Sequence, residues 1–357
     1  MLWVARHVRM NRPIEVSEEV ARRRPTIADV PERAGVSPTL VSFAVNNRPG
    51  VSAGTRERIL TAAKELRWRP SASARALSQA RSRAIALVLT RRAEQLEVDS
   101  FFVRFLSGAE RTLAGADYAM LLQLVPGTDA AAALGAYERL SAAGRVDGFL
   151  LTDPQLDDPR FALLEEAGIP VVIAGRPATA VPFPWLETEH DRGISLAVEH
   201  LVSLGHEQIA FLGGPKAYEH VQARFTRWRE ALRAAGLGDD RVAFSDPDLG
   251  AAAARVLEHE PTAVVCTSDT LAIALIAMVR ARGLSVPEDV SVIGFDDSVL
   301  APLSSPALTS VRVDYTEFGA AASAALLAEI DGVKAPAYDP SPPTLEVRAS
   351  TAAASPR

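Results

Sequence analysis

The sequence predicts two units of different class: a small all-α helix-turn-helix headpiece, followed by a larger α/β body built on parallel sheets. Three observations carry this. Between residues 26 and 68, short apolar-spaced stretches are punctuated by Gly35, Ser37 and Ser52, residue types that stop and start helices. From residue 82 onward, short apolar runs alternate with helical stretches, the pattern of parallel strands covered on both faces by helices. Charge is also split: residues 1–83 hold 16 Arg/Lys against 7 Asp/Glu, and residues 84–357 hold 22 against 37.

A chain of 357 residues is too long for one small core. Its composition, 48% hydrophobic and 23% charged, excludes wholesale disorder. A basic end on an acidic body points to an end that meets a polyanion; the plainer alternative is a solvated arginine-rich tail. The opening MLWVARHVRMNR has arginines at 6, 9 and 12 and no continuous apolar core, so it does not read as a secretory signal. No run of about 18 uncharged apolar residues predicts a membrane helix. The one cysteine, Cys266, excludes an internal disulfide and a Cys-based zinc cluster. These readings predict a cytoplasmic protein with no membrane partner, no metal and no cofactor.

Residues 1–23 show no sustained periodicity and are read as a flexible extension, with Met10 as a later candidate start. Thr26 is the candidate cap of the first helix, with Asp29 near its positive end. Ile27, Val30 and Ala34 recur at helical spacing until Gly35 ends the helix. Ser37 then caps a second helix with Pro38 at its first position. In that helix Val41/Val45 and Leu40/Ala44 can face inward, leaving Thr39, Ser42 and Phe43 outward. Asn46–Gly50 is a loop, and Ser52 caps a third helix with Ile59, Ala62, Ala63 and Leu66 as its apolar stripe. Two short helices joined by a tight turn form a helix-turn-helix, or equally an ordinary helical hairpin.

The stretch TIADVPERAGVSPTLVSFAVNNRPGVSAGTRERILTAAKELRWRPSASARAL resembles, without a gap from Thr26 to Leu77, the head domain of the lac repressor (LacI/GalR) family of bacterial transcription regulators. The resemblance implies a DNA-binding domain over residues 24–69, with Pro38, Thr39, Leu40, Ser42 and Phe43 on the helix that enters the major groove and Thr26, Asn46 and Arg48 at DNA-contacting positions. It also implies a hinge helix at 70–81, whose Leu77 wedges into the minor groove from each chain of a dimer. Three residues depart from the family pattern. Phe43 stands where arginine is common and offers only apolar contact, for example to a thymine methyl. Pro31 replaces alanine in the first helix, and Arg67 replaces a glycine at a position suited to positive φ.

In the body, strands are expected at 84–90, 118–124, 146–152, 170–175, 208–213, 263–267 and 290–295. Helices are expected at 100–115, 128–142, 159–167, 192–204, 219–235, 250–259, 270–282 and 316–331. These units make one sheet or two smaller ones, and ligands in such folds bind at the carboxyl ends of strands. No GxGxxG, phosphate-loop, HExxH or GxSxG pattern supports an enzyme. His206 reads as structurally bonded and Cys266 as a core thiol. Asp296 and Asp297 are adjacent at a strand end and point apart, which suits binding and capping better than a catalytic dyad.

LAVEHLVSLGHEQIAFLGGP, TAVVCTSDTLAIAL and VSVIGFDDSVLAPLSSPALTSV resemble the effector-binding domain of the same family. The resemblance implies an α/β two-lobed, periplasmic-binding-protein-like effector domain over 82–351, with a tail at 352–357. Lobe crossings are expected near 187, 314 and 341. It places Phe101 and Phe102 against the ligand, Arg224 on ligand oxygens, and Asp269 and Asp296 on ligand hydroxyl or N–H groups. Aromatic faces with an arginine between carboxylates suit a sugar or related polar metabolite. Ser268, Glu189-His190 and Arg227 depart from the family pattern near this site. The expected protein is a nucleoid-associated regulator, most simply a repressor, that binds operator DNA as a homodimer or tetramer and responds to a small-molecule effector. The rival expectation is a soluble sugar-binding protein of a transport system.

Overall fold

The computed structural model describes residues 26–45, 49–68, 81–90, 100–125, 130–245 and 249–355. Asn46, Arg48 and Leu77, the 1–23 extension and nearly all of the expected hinge lie outside these residues. The chain divides into two compact units, Met1–Arg81 and Ser82–Arg357.

The first unit contains α1 (Asp29–Ala34), α2 (Pro38–Val45) and α3 (Ala53–Glu65) around a core of Val30, Ala34, Val41, Ala44, Ile59, Ala62, Ala63 and Trp68. Gly35 ends α1 at φ 65°, and Ser52 caps α3 by accepting the Thr55 N–H at 3.3 Å. The expected Thr26 cap is corrected. Ala28 holds the N-cap position, and the Thr26 N–H and hydroxyl both donate to Asp29 Oδ2, at 2.6 and 2.9 Å. Asp29 thereby organises the entry to α1 from within the helix. Pro31 falls in the first turn, where the N–H it lacks would have no intrahelical partner, and its ring is buried in the core. Arg67 adopts φ 53°, so the non-glycine residue takes the left-handed backbone that ends this helix.

The second unit has two sheets. The first has the order β2-β1-β3-β4-β5, all parallel, from β1 (Ala84–Thr90), β2 (Ala119–Val125), β3 (Gly148–Thr152), β4 (Val171–Ala174) and β5 (Trp185–Leu186). It is covered by α4 (Ser100–Gly115), α5 (Ala130–Ala142), α6 (Arg160–Ala167) and α11 (Tyr315–Asp331). The second sheet runs β11-β10-β9-β8-β6-β7, from β6 (Ile209–Gly213), β7 (Val242–Phe244), β8 (Ala263–Cys266), β9 (Ser291–Phe295), β10 (Thr309–Arg312) and β11 (Thr344–Glu346). Its helices are α7 (His190–Ser203), α8 (Glu219–Ala234), α9 (Leu249–Leu257) and α10 (Asp269–Ala281). The apolar runs fill these sheets because each central strand is buried on both faces. β11 runs antiparallel to β10, a departure from the expected all-parallel arrangement. It is an edge strand reached from the other lobe, so no crossover helix dictates its direction.

The chain leaves the first lobe between Leu186 and His190, returns between Arg312 and Tyr315, and leaves again between Asp331 and Thr344. These passages place the carboxyl ends of both sets of strands on a shared cleft. No helix among the described residues is long and apolar enough to cross a membrane.

Candidate functional site

In the headpiece, α2 buries Val41 and Ala44 and turns its opposite face outward. Pro38 and Thr39 are exposed, and Ser42 and Phe43 are half-buried. No acidic side chain occupies the first turn of α2, so the positive helix end meets no carboxylate of its own. A helix presented by its first residues has the geometry that reads base edges in a major groove. Leu40 is half-buried and packs against the headpiece core, as its apolar spacing with Ala44 predicts. Arg56 donates to the Ala44 carbonyl at 2.7 Å, closing the end of α2 onto α3.

The cleft of the second unit has a volume of about 1620 Å³. Phe101, Arg224, Asp269 and Asp296 all line it, together with Tyr315, Trp185 and His190. Asp269 is the first residue of α10, just after β8. Its carboxylate accepts the Ser298 N–H and the Ser310 hydroxyl, both at 2.5 Å. Burial pushes its carboxyl upward against those two donors. Gly294 on the neighbouring strand makes this possible, because a β-carbon there would lie 2.2 Å from Asp269 Oδ1.

Asp296 directly follows β9 with φ 99°, a rare backbone for a non-glycine residue, and Asp297 comes next at φ 46°. The turn separates the two carboxylates. Asp296 Oδ1 accepts the Tyr315 hydroxyl at 2.7 Å on the cleft side. Asp297 is buried between Arg312 and Arg348, at 2.7 and 2.6 Å. Arg224 donates to the Thr267 carbonyl at 2.7 Å and to the Tyr315 hydroxyl at 3.4 Å, with its plane 3.8 Å over the Phe295 ring. Tyr315 is thus the hub between Arg224 and Asp296, and burial beside Asp296 raises its hydroxyl pKa well above the usual value. His190 is buried at the start of α7, and desolvation, with Arg224 nearby, pushes its pKa down to about 3.

The lobes touch on both sides of the cleft. Arg104 of α4 donates to the carbonyls of Asp296 and Asp297, at 3.1 and 2.5 Å. Elsewhere Glu219 donates its N–H to the Pro154 carbonyl, and Leu156 donates its own to Ala217, at 3.1 and 3.2 Å.

Phe102 is a correction. It is fully buried in the core and does not line the cleft, because adjacent residues on a helix point about 100° apart. Phe101 alone faces the cleft, stacked on Phe105 and edge-on to Tyr315. Tyr315, Trp185 and Glu219 were not singled out from the sequence. Only Tyr315 carried a signal, an aromatic directly after the helix-capping Asp314 at an expected lobe crossing. His206 bonds Thr262 and the Ala352 carbonyl, at 3.1 and 3.0 Å, and Cys266 is buried.

The sequence matches the bacterial regulatory proteins of the lacI family over residues 26–71 and a periplasmic binding protein-like domain over residues 198–351. The HTH-type transcriptional regulator CelR of Thermobifida fusca is 36% identical over 301 residues, which is 82% of this chain and 87% of that protein. The crystal structure of the lac repressor dimer bound to operator and the anti-inducer ONPF is similar with a TM-score of 0.80 at 27% identity, covering 93% of this chain and 100% of that one. A transcriptional regulator CelR–cellobiose complex is similar with a TM-score of 0.69 at 30% identity, covering 92% of this chain and 100% of that one.

Proposed function

The chain belongs to the lacI family of bacterial regulatory proteins, and we propose on that premise that it is a repressor whose operator affinity is set by a sugar bound between its two lobes. It is a DNA-binding transcription regulator and not an enzyme. The observation that carries the effector reading is the interlobe cleft, where Arg224, Tyr315 and Asp296 form one hydrogen-bonded chain beside Asp269 and Phe101. Carboxylates accept from hydroxyls, the arginine donates, and Phe101 offers an apolar face. The volume of about 1620 Å³ exceeds the ~300–1,000 Å³ of ordinary small-molecule pockets, which suits more than one sugar ring.

In the headpiece, Pro38, Thr39, Leu40, Ser42 and Phe43 read base edges, with Thr26, Asn46 and Arg48 on the backbone. Leu77 wedges the minor groove, and the working unit is a homodimer on the nucleoid. The lac repressor's dimeric operator complex supports this reading. The mechanism is linkage: a ligand that prefers one lobe arrangement shifts the protein toward it and so changes DNA affinity. The test is fluorescence anisotropy with DNA from upstream of the protein's own gene. Binding that weakens steeply with salt and shifts with one member of a disaccharide panel is expected. Binding that no disaccharide shifts argues against the sugar reading.

A further inference from the structure

Resting on the reading of the cleft as a saccharide site, we infer that the effector is uncharged, and that the cleft rejects phosphorylated and acidic sugars. The first ground is charge. The described lining residues include eight carboxylates against three guanidiniums, two histidines and no lysine, and His220 lies 3.8 Å from one of those carboxylates, Asp153. An anion entering this partly enclosed space meets a surplus of like charge, and like-charge juxtaposition in a low-dielectric site is strongly unfavourable.

The second ground is the state of the three arginines. Capture of a phosphate or carboxylate needs two parallel N–H groups along one edge of a guanidinium. Arg224 has Nη1 on the Thr267 carbonyl and Nη2 on the Tyr315 hydroxyl, so neither of its edges offers two unengaged nitrogens. Arg227 has Nε on Ser195 Oγ at 2.6 Å and Nη1 on Glu230 at 3.2 Å, which again occupies both edges. Arg176 is the exposed exception: it lies 3.7 Å from Glu187 Oε1 and 5.8 Å from the centre of the Trp185 ring, a charge at the rim rather than a closed fork. His190 adds no cation near neutral pH, because burial keeps it unprotonated.

The third ground is what remains unpaired. Arg224 Nε is a buried donor without a partner, and Glu219 Oε1 is a buried acceptor without one. A single donor and a single acceptor suit hydroxyls, which both give and take a hydrogen bond. Burial already pushes the Glu187 and Glu219 carboxyls upward, and a second anion beside them compounds that cost. Trp185, 42% exposed at the cleft, offers a face for an uncharged ring.

The experiment is calorimetry on the full chain with cellobiose, maltose, lactose and trehalose, each paired with its 6-phosphate, plus cellobionic and maltobionic acids. The expected result is one neutral disaccharide that binds about tenfold or more tighter than its phosphate and its acid. The gap should narrow as ionic strength rises, because salt screens the rim charges. The double variant D191N/E230Q removes two rim carboxylates. Glutamine at 230 keeps an acceptor for Arg227 Nη1, and the ratio of neutral to anionic affinity should fall several-fold. A phosphate or acid that binds as tightly as its neutral parent overturns this inference while leaving the saccharide reading intact. A gap that neither salt nor the double variant moves assigns the rejection to shape and overturns the electrostatic account. No binding by any member of either series overturns the saccharide reading itself.

Discussion

The two lobes build the walls of the same cleft by different means. In the first lobe the decisive contact is helix on helix. Gly108 of α4 and Gly319 of α11 let the two backbones meet: a β-carbon at Gly108 would lie 1.9 Å from the Thr316 carbonyl oxygen, and one at Gly319 would lie 2.0 Å from that of Phe105. In the second lobe the corresponding depth holds a polar network of Asp269, Ser298, Ser310 and Asp297 with Arg312 and Arg348. Close packing gives a stiff wall but aims nothing. Buried hydrogen bonds are directional, and once satisfied they fix where each carboxylate points. On the proposed function, Phe101 is backing from the first lobe, while the polar groups offered to a ligand come mainly from the second.

The largest effect expected from breaking this contrast is at the helix crossing. Gly319→Val forces α11 off α4 and should cost about 3 kcal/mol or more, read as a fall in the urea midpoint. An unchanged midpoint would show that the two helices are not locked together. In the polar wall, Asp297→Ala leaves Arg348 without its buried partner. Arg312 is half exposed and hydrates, so the expected loss is about 2 kcal/mol in the same assay, below the full cost of breaking a buried pair.

His190 gives a pH signature. Its folded pKa, near 3, lies below the usual 6.5, so the unfolded chain binds more protons between those values. Stability is complete above about pH 6.5 and falls as pH drops toward 3, by up to about 1.4 kcal/mol per pH unit. His190→Asn should flatten the acid limb of Tm against pH relative to wild type, and a parallel curve would place the histidine in water. The smallest effect expected is Arg104→Lys, which keeps the charge but loses the two-carbonyl grip between lobes. A loss of about 1 kcal/mol in thermal stability is expected, with the headpiece unaffected.

Much of this architecture is legible in the sequence where a physical rule acts locally. The run AIALVLT gives β1 its observed limits, and the alternation of apolar runs with helical stretches places the helices of the body within two residues. β5 and β7 are two and three residues long and carry no period to read. β10 and β11 were missed because TSVR and TLE mix polar and apolar positions, and their pairing depends on a lobe crossing. The site was legible as single residues but not as a constellation. Arg224 and Asp296 stood out by resemblance, whereas Tyr315 joins them only because two chain crossings bring α8, β9 and α11 together. The adjacency of two aromatics hides that Phe101 faces the cleft and Phe102 the core.

The central claim is that occupancy of the interlobe cleft sets the operator affinity of the headpiece. The measurement is an anisotropy titration of operator DNA at one salt concentration, with and without a saturating disaccharide identified by calorimetry, for wild type and Asp296→Asn. The account predicts that both proteins bind operator equally without sugar. It predicts further that sugar shifts the wild-type operator Kd by about fivefold or more, and that the variant, with its carboxylate acceptor gone, shows no shift at that concentration. A disaccharide that binds the wild-type cleft yet leaves its operator Kd unchanged would contradict the account, as would an Asp296→Asn variant that responds in full.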